Sequence, residues 1–213
     1  MKIIVFGGSG RTGVEFVRQA LEKGHSVTVF VRNNHKRKQI EIAGNLSVVE
    51  GDILNPDEVR RAMRGHDIVV STLGVSKALH HDQVVIDGVA TIVKAMQKEN
   101  IRRIIYVSVF LAFRKKARYG FFVNNLLRRI IRKEIDDHEV KETFISKGAH
   151  EFVIVRPVRL TDKSLTCAYV HGEDLVLKHF IPSISRADVA HFMLKQIGDT
   201  KYLNKAVIVA GGR

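Results

Sequence analysis

The sequence predicts an α/β protein: a doubly wound parallel sheet covered by helices on both faces. Two observations carry that prediction. Apolar runs of strand length alternate with helix-period stretches from the first residue to the last. A glycine-rich turn joins the first such run to the first helix. A third observation bounds it: 213 residues, 45% hydrophobic and 27% charged, suit one globular domain with a proper core. That balance excludes disordered, collagen-like and coiled-coil chains.

The elements follow in order. Ile3 to Phe6 is a buried strand, and Gly13 to Lys23 a helix whose apolar face is Phe16, Val17, Ala20 and Leu21, closed by Gly24. Val27 to Val31 and Leu46 to Glu50 are strands two and three. Pro56 starts a short helix to Arg64. Asp67 to Ser71 is strand four, Asp82 to Lys98 a helix, and Ile104 to Ser108 strand five. Phe121 to Ser146 reads as mostly helical and Phe152 to Arg156 as strand six. Beyond Pro157 the pattern loosens into a strand over Thr166 to Val170, a helix over Arg186 to Ile197 and a strand over Ala206 to Ala210. Five-residue strands alternating with helices specify a three-layer α/β/α, Rossmann-type fold. Residues 1–213 form a single domain, with those after about 157 expected as a small lobe on the substrate side.

Gly7-Gly8-Ser9-Gly10-Arg11-Thr12-Gly13 sits between strand one and helix one. Glycines there allow a tight turn, backbone approach to a pyrophosphate and close helix–strand packing, and the helix N-terminus favours the negative charge. The strand before, the helix after and the βαβ unit around it make this a dinucleotide site. The candidate residues are Gly7, Ser9, Gly10, Arg11, Thr12 and Gly13. An NAD site places an acid at the end of strand two to hold the ribose 2′-hydroxyl. Here that end reads Val31-Arg32-Asn33, without an acid. Arg32 is suited to a 2′-phosphate, with Arg11 as a second guanidinium, so the expected cofactor is NADP(H). Asp52 and Ile53 after strand three are placed for the adenine, and Leu73 and Gly74 after strand four for its ribose and phosphates. The alternative for Asp52 is a turn or capping role before Pro56.

GGSGRTG, VVEGDILNPDEV, STLG, YVSVF, DDHEVKETFISKGAHEFVIVRP and ISRADVAHFM together resemble an atypical short-chain dehydrogenase/reductase of the NAD(P)H-binding, NmrA-like kind, over essentially the whole chain. In the standard enzymes a serine after strand five works with Tyr-x-x-x-Lys on the next helix. Ser108 matches that serine. Counted back from Arg156-Pro157, Glu134 stands at the tyrosine position and His138 at the lysine position. No tyrosine in the chain has a lysine four residues on. The resemblance therefore implies hydride transfer from NADPH to a flavin or linear tetrapyrrole, a flat π-system that needs positioning more than an acid. It assigns catalytic roles to Ser108 and His138, and cofactor contacts to both and to Pro157 and Arg159. Arg159 stands where the family's flavin and tetrapyrrole reductases carry a histidine. The other reading is a non-catalytic, NADP(H)-binding redox-sensing regulator of the NmrA-like type.

The net charge of +13 favours anionic ligands. Much of it lies in Arg32 to Lys38 and in Arg114 to Lys133, the latter ending in an amphipathic pattern read as a core helix beside the site. The expected partner is a flat, anionic small molecule. No motif reads nucleic acid, no span crosses a membrane, and no His or Cys spacing calls for a metal. Cys167 is the only cysteine, which suits a reducing compartment. The expected setting is the cytoplasm, as a monomer or weak dimer.

Overall fold

A computed structural model describes residues 1–32, 45–74, 82–112, 132–175 and 182–212. Strands β1 (Lys2–Phe6), β2 (Ser26–Val31), β3 (Leu46–Glu50), β4 (Ile68–Ser71), β5 (Arg103–Val107) and β6 (Glu151–Pro157) alternate with helices α1 (Arg11–Glu22), α2 (Pro56–Met63), α3 (Gln83–Lys98) and α4 (Arg132–Gly148). After them come β7 (Arg159–Thr161), β8 (Tyr169–Gly172), β9 (Ser183–Ser185), α5 (Arg186–Lys195) and β10 (Lys205–Gly211). The main sheet runs β3-β2-β1-β4-β5-β6-β10-β8, a Rossmann-like order.

Each strand shows why the sheet is covered twice. In β1, Ile3 and Val5 pack with Phe16, Val17 and Ala20 of α1 and with Val189, Phe192 and Met193 of α5. Ile4 and Phe6, one residue out of phase, pack on the other face with Val59 and Met63 of α2 and with Val89, Ile92 and Met96 of α3. A period of two along buried strands thus feeds two separate cores. The strand order reverses between β1 and β4, which opens the crevice where such sheets bind ligands.

Two departures from the sequence reading have local causes. The strand expected at Thr166 to Val170 forms instead at Tyr169–Gly172, and it pairs antiparallel with β10, so the sheet is parallel except at that edge. Thr166 and Cys167 are held off the sheet because their N–H groups donate to the buried Asp188 carboxylate, at 2.9 and 2.8 Å. Strands β7 and β9 form a separate two-stranded parallel sheet, three residues each, too short to show periodicity. The Lys36 to Lys38 loop and the segment 113–131, which includes the first part of the helix expected from Phe121, lie outside the described residues. No helix among the described residues is long and apolar enough to cross a membrane.

Candidate functional site

Close packing decides the glycine loop. Gly7 has φ +82, and a Cβ there would lie 2.8 Å from the backbone of Thr72 and Leu73. A Cβ on Gly13 would lie 2.3 Å from the Gly7 carbonyl oxygen and 2.7 Å from Gly8 Cα. The loop therefore admits no side chain where α1 crosses β1. It is clamped from β4: Thr72 N–H donates to Phe6 O and Thr72 Oγ1 to Gly7 O, both at 2.9 Å. Gly10 caps α1 without a side-chain bond, and the first turn contains no acid. The N–H groups of the first turn and the positive helix end are thus left for an external anion. Residues at this crevice fit a dinucleotide.

Around it the sequence-predicted residues fall as follows. Arg32 is exposed directly after β2. Arg11 is exposed, and its Nη1 is 2.9 Å from Asp162 Oδ2. Asp52 is exposed, and its Oδ1 accepts from Leu54 N–H at 2.9 Å in a turn; the cap of α2 is Asn55, which accepts from Asp57 and Glu58. Ile53 packs toward Gly88 of α3. Leu73 is half-buried and Gly74 exposed at the end of β4. Pro157 ends β6 in a buried position, and Arg159 is exposed at the start of β7.

The second half of the site is a buried polar network between β5, β6 and α4. Ser108 and His138 do come together: Ser108 Oγ lies 3.3 Å from His138 Nδ1, and Tyr106 Oη lies 3.1 Å from the same nitrogen. Ser108 donates its proton to Glu142. Glu142 in turn accepts from Arg156, Nε to Oε1 at 3.0 Å and Nη2 to Oε2. Ser108, His138 and Glu142 are 3%, 4% and 2% exposed. Burial, then Lys141 nearby, pulls the His138 imidazole down to about 3, so it is neutral at pH 7. Burial, then Glu142 and Asp137, pushes the Tyr106 phenol well above its ordinary value.

Glu134, at the tyrosine position, is half-buried; burial raises its carboxyl, Lys141 opposes that and Asp137 adds to it. The partner of Ser108 is instead Glu142, one turn beyond His138. Sequence reasoning missed Glu142, Arg156 and Lys141. The signal existed, since His138 and Glu142 are i, i+4 on one helix face and Lys141 adjoins them. Lys141 is fully buried, and among the described residues its Nζ has no hydrogen-bond partner; burial pulls its ammonium below the usual lysine range, while Asp137, Asp82, Glu134 and Glu142 act the other way. Among the described residues no group of three His, Cys, Asp or Glu is placed to hold a metal.

A glycine-loop crevice at the reversal point of a doubly wound sheet defines a dinucleotide-binding α/β protein. More particularly, residues 7–200 match the family described as NAD(P)H-binding, and the chain belongs to that family. It is 24% identical over 216 residues to the uncharacterized sugar epimerase YhfK of Bacillus subtilis, covering 100% of this chain and 95% of that protein. It is 32% identical over 114 residues to the photosystem II assembly factor Ycf39 of Synechocystis sp., covering 53% of this chain and 35% of that one. The match thus spans about a third of Ycf39. Among solved structures, a short-chain dehydrogenase/reductase of Veillonella parvula in complex with NADP superposes with a TM-score of 0.79 at 18% identity, covering 100% of this chain and 94% of that one. At that identity the likeness establishes the fold.

Proposed function

We propose that the protein is an NADPH-dependent reductase that passes hydride to a flavin or a related conjugated acceptor such as a linear tetrapyrrole. The observation that carries the reading is a dinucleotide-shaped glycine loop beside a site that lacks the Tyr-x-x-x-Lys pair of carbonyl-reducing enzymes. Of the described tyrosines, Tyr169 and Tyr202 are engaged away from the site, with His191 and His171, and Tyr106 is held within it against His138. Without a tyrosine to protonate an alkoxide, a carbonyl is a poor acceptor, whereas a conjugated ring can take hydride and draw its proton from water.

Bound at the crevice, a reduced nicotinamide supplies the hydride. The chain's own residues hold and orient. The first-turn N–H groups of Arg11, Thr12 and Gly13 take the pyrophosphate, with Gly7, Ser9 and Gly10 shaping the turn, and Arg32 takes the 2′-phosphate. Asp52 and Ile53 border the adenine, and Leu73 and Gly74 pass its ribose. Ser108 and His138, with Pro157 and Arg159, border the nicotinamide end. A neutral imidazole there holds a hydrogen bond and does not deliver a proton as an imidazolium.

One observation favours the second reading, a redox sensor that binds NADP(H) without turnover: the Ser108 hydroxyl is committed to Glu142. Isomerisation of a sugar, suggested by the name of the full-length Bacillus relative, lacks its tyrosine among the described residues. The test is loss of NADPH absorbance when FMN, FAD, riboflavin or a tetrapyrrole is added. Turnover with one of them is expected; tight NADPH binding with no turnover on any acceptor overturns the reading in favour of the sensor.

A further inference from the structure

Helix α4 carries a buried cation that hydride transfer, as proposed above, leaves unused. Lys141 is fully buried, and among the described residues its Nζ meets no hydrogen-bond acceptor. A buried ammonium without an acceptor is costly, so it persists only where nearby charge compensates it. Helix geometry supplies that charge. Asp137 and Glu134 lie one and two turns before Lys141, Glu142 adjoins it, and Asp82 approaches from the start of α3. Asp82 is fixed against α4 by its own N–H, which donates to Asp137 Oδ2 at 3.0 Å. Four carboxylates thus hold Lys141 as an ammonium, and none of them accepts a hydrogen bond from it.

The same geometry sets Lys141 beside His138. The two are i, i+3 on α4, both buried, with the Cβ separation of about 5–6 Å that such neighbours keep. Facing the ring are Tyr106 of β5, Ser108 directly after β5, and Glu134 and Glu142 one turn away on either side. Arg156 of β6 stands behind Glu142 and is paired with it. Water does not screen charges this deeply buried, so a second positive charge on the imidazole is opposed by repulsion as well as by burial. Burial first and Lys141 second hold the ring far below its ordinary range.

We propose that Lys141 is a positioning residue for the nicotinamide end of the site: its ammonium keeps a second positive charge off His138, so that Nδ1 stays an acceptor for the Tyr106 hydroxyl and the site admits the cationic ring of NADP⁺. NADPH leaves hydride transfer as NADP⁺, whose nicotinamide carries the positive charge that the reduced ring lacks. An imidazolium beside it would repel that product. Lys141 itself does not, because four carboxylates surround it. The consequence for the nucleotide rests on the reading that His138 borders the nicotinamide; the effect on the imidazole does not.

Proton NMR of the whole protein follows the His138 ring, its signals identified by their loss in His138→Gln. In the wild type they should stay constant from pH 8 to pH 4.5. A titration near the ordinary 6.5 overturns the proposal with no further variant needed. In Lys141→Met the titration should move up by about two pH units. A charge about 6 Å away, at an effective dielectric of about 20, is worth roughly a hundredfold in the protonation equilibrium. Lys141→Arg keeps the charge and should keep the wild-type behaviour, which a merely space-filling role would not require. Should Lys141→Met not fold, Lys141→Met/Asp137→Asn removes one carboxylate with the lysine and carries the same test. An unmoved ring in either folded variant overturns the proposal. NADP⁺ binding is measured by calorimetry and referenced to the wild type at each pH, so that titration of the 2′-phosphate cancels. It should weaken in Lys141→Met by about threefold between pH 7 and pH 4.5, and Lys141→Met/His138→Gln should lose that dependence. A dependence that survives in the double variant belongs to the carboxylates and overturns the role at the nucleotide. A moved His138 titration with level NADP⁺ binding supports the action of Lys141 on the ring and takes His138 away from the nicotinamide.

Discussion

Replacing Glu142 tests the buried network most severely. Glu142 is 2% exposed, and its carboxylate accepts from Arg156 through two nitrogens and from Ser108. Glu142→Leu leaves the Arg156 guanidinium, 13% exposed, without this carboxylate. Breaking one side of such a buried pair costs about 3–5 kcal/mol. Ser108 loses its acceptor too, but it can turn to His138 Nδ1 at 3.3 Å, so that loss adds about 1 kcal/mol at most. Arg156→Met, which keeps the Ser108 bond, should cost about 3–5 kcal/mol. The double variant should cost far less than the sum, because apolar side chains of similar size often replace a buried pair at little cost. The double-mutant cycle therefore predicts a coupling of about 3 kcal/mol or more, at the top of the range for residues in contact. Urea unfolding at pH 7, with the slope m checked for constancy, measures all four proteins. Single losses below about 1 kcal/mol, or a double variant that costs the sum, would refute the reasoning.

Three further outcomes follow from particular residues. His138 titrates near 3 in the native state against about 6.5 unfolded, so the unfolded chain alone takes up that proton as pH falls between those values. Stability contributed by the neutral imidazole is fully present above about pH 6.5 and falls by up to about 1.4 kcal/mol per pH unit below it. His138→Gln should flatten that slope in unfolding measured from pH 7 to pH 4, and an unchanged slope would show that His138 does not carry it. Gly13→Ala puts a methyl 2.3 Å from the Gly7 carbonyl and should cost about 3 kcal/mol or more, with NADPH binding lost; near-normal melting and binding would contradict the packing argument. Arg32→Asp should weaken NADPH by about 1.5–3 kcal/mol, roughly tenfold or more, while NADH is spared; an unchanged ratio by calorimetry would move the 2′-phosphate elsewhere.

The legible parts of the molecule are those whose cause is local. Phe16, Val17 and Ala20 mark α1 by spacing alone, and the glycine loop announces itself by residue type. Ser108 and His138 were identified from motif positions, and the fold brings them together. What stayed hidden depends on pairs distant in sequence. The pairing of Arg11 with Asp162, 151 residues on, is set by the fold and has no local sign in the sequence. Glu142 reads as one more acid on a polar helix until β6 presents Arg156. The edge strand β8 starts at Tyr169 and not at Thr166 because Asp188 captures Thr166 and Cys167, a contact that no periodicity encodes. Hydropathy patterns report burial against the chain's own neighbours, and they do not report which charges meet.

The central claim is direct hydride transfer from bound NADPH to a conjugated acceptor, and a single-turnover experiment reaches it without knowledge of the natural substrate. Protein loaded with NADPH, or with NADPH deuterated at the transferable position, is mixed anaerobically with FMN, and the nicotinamide and flavin absorbances are followed together. The account predicts that the two bands bleach at one rate, and that the rate falls on deuteration. It also predicts that the reaction survives Tyr106→Phe, since no tyrosine delivers the proton. Retention of the NADPH band with FMN and with a linear tetrapyrrole, in protein shown to bind the nucleotide, would contradict it.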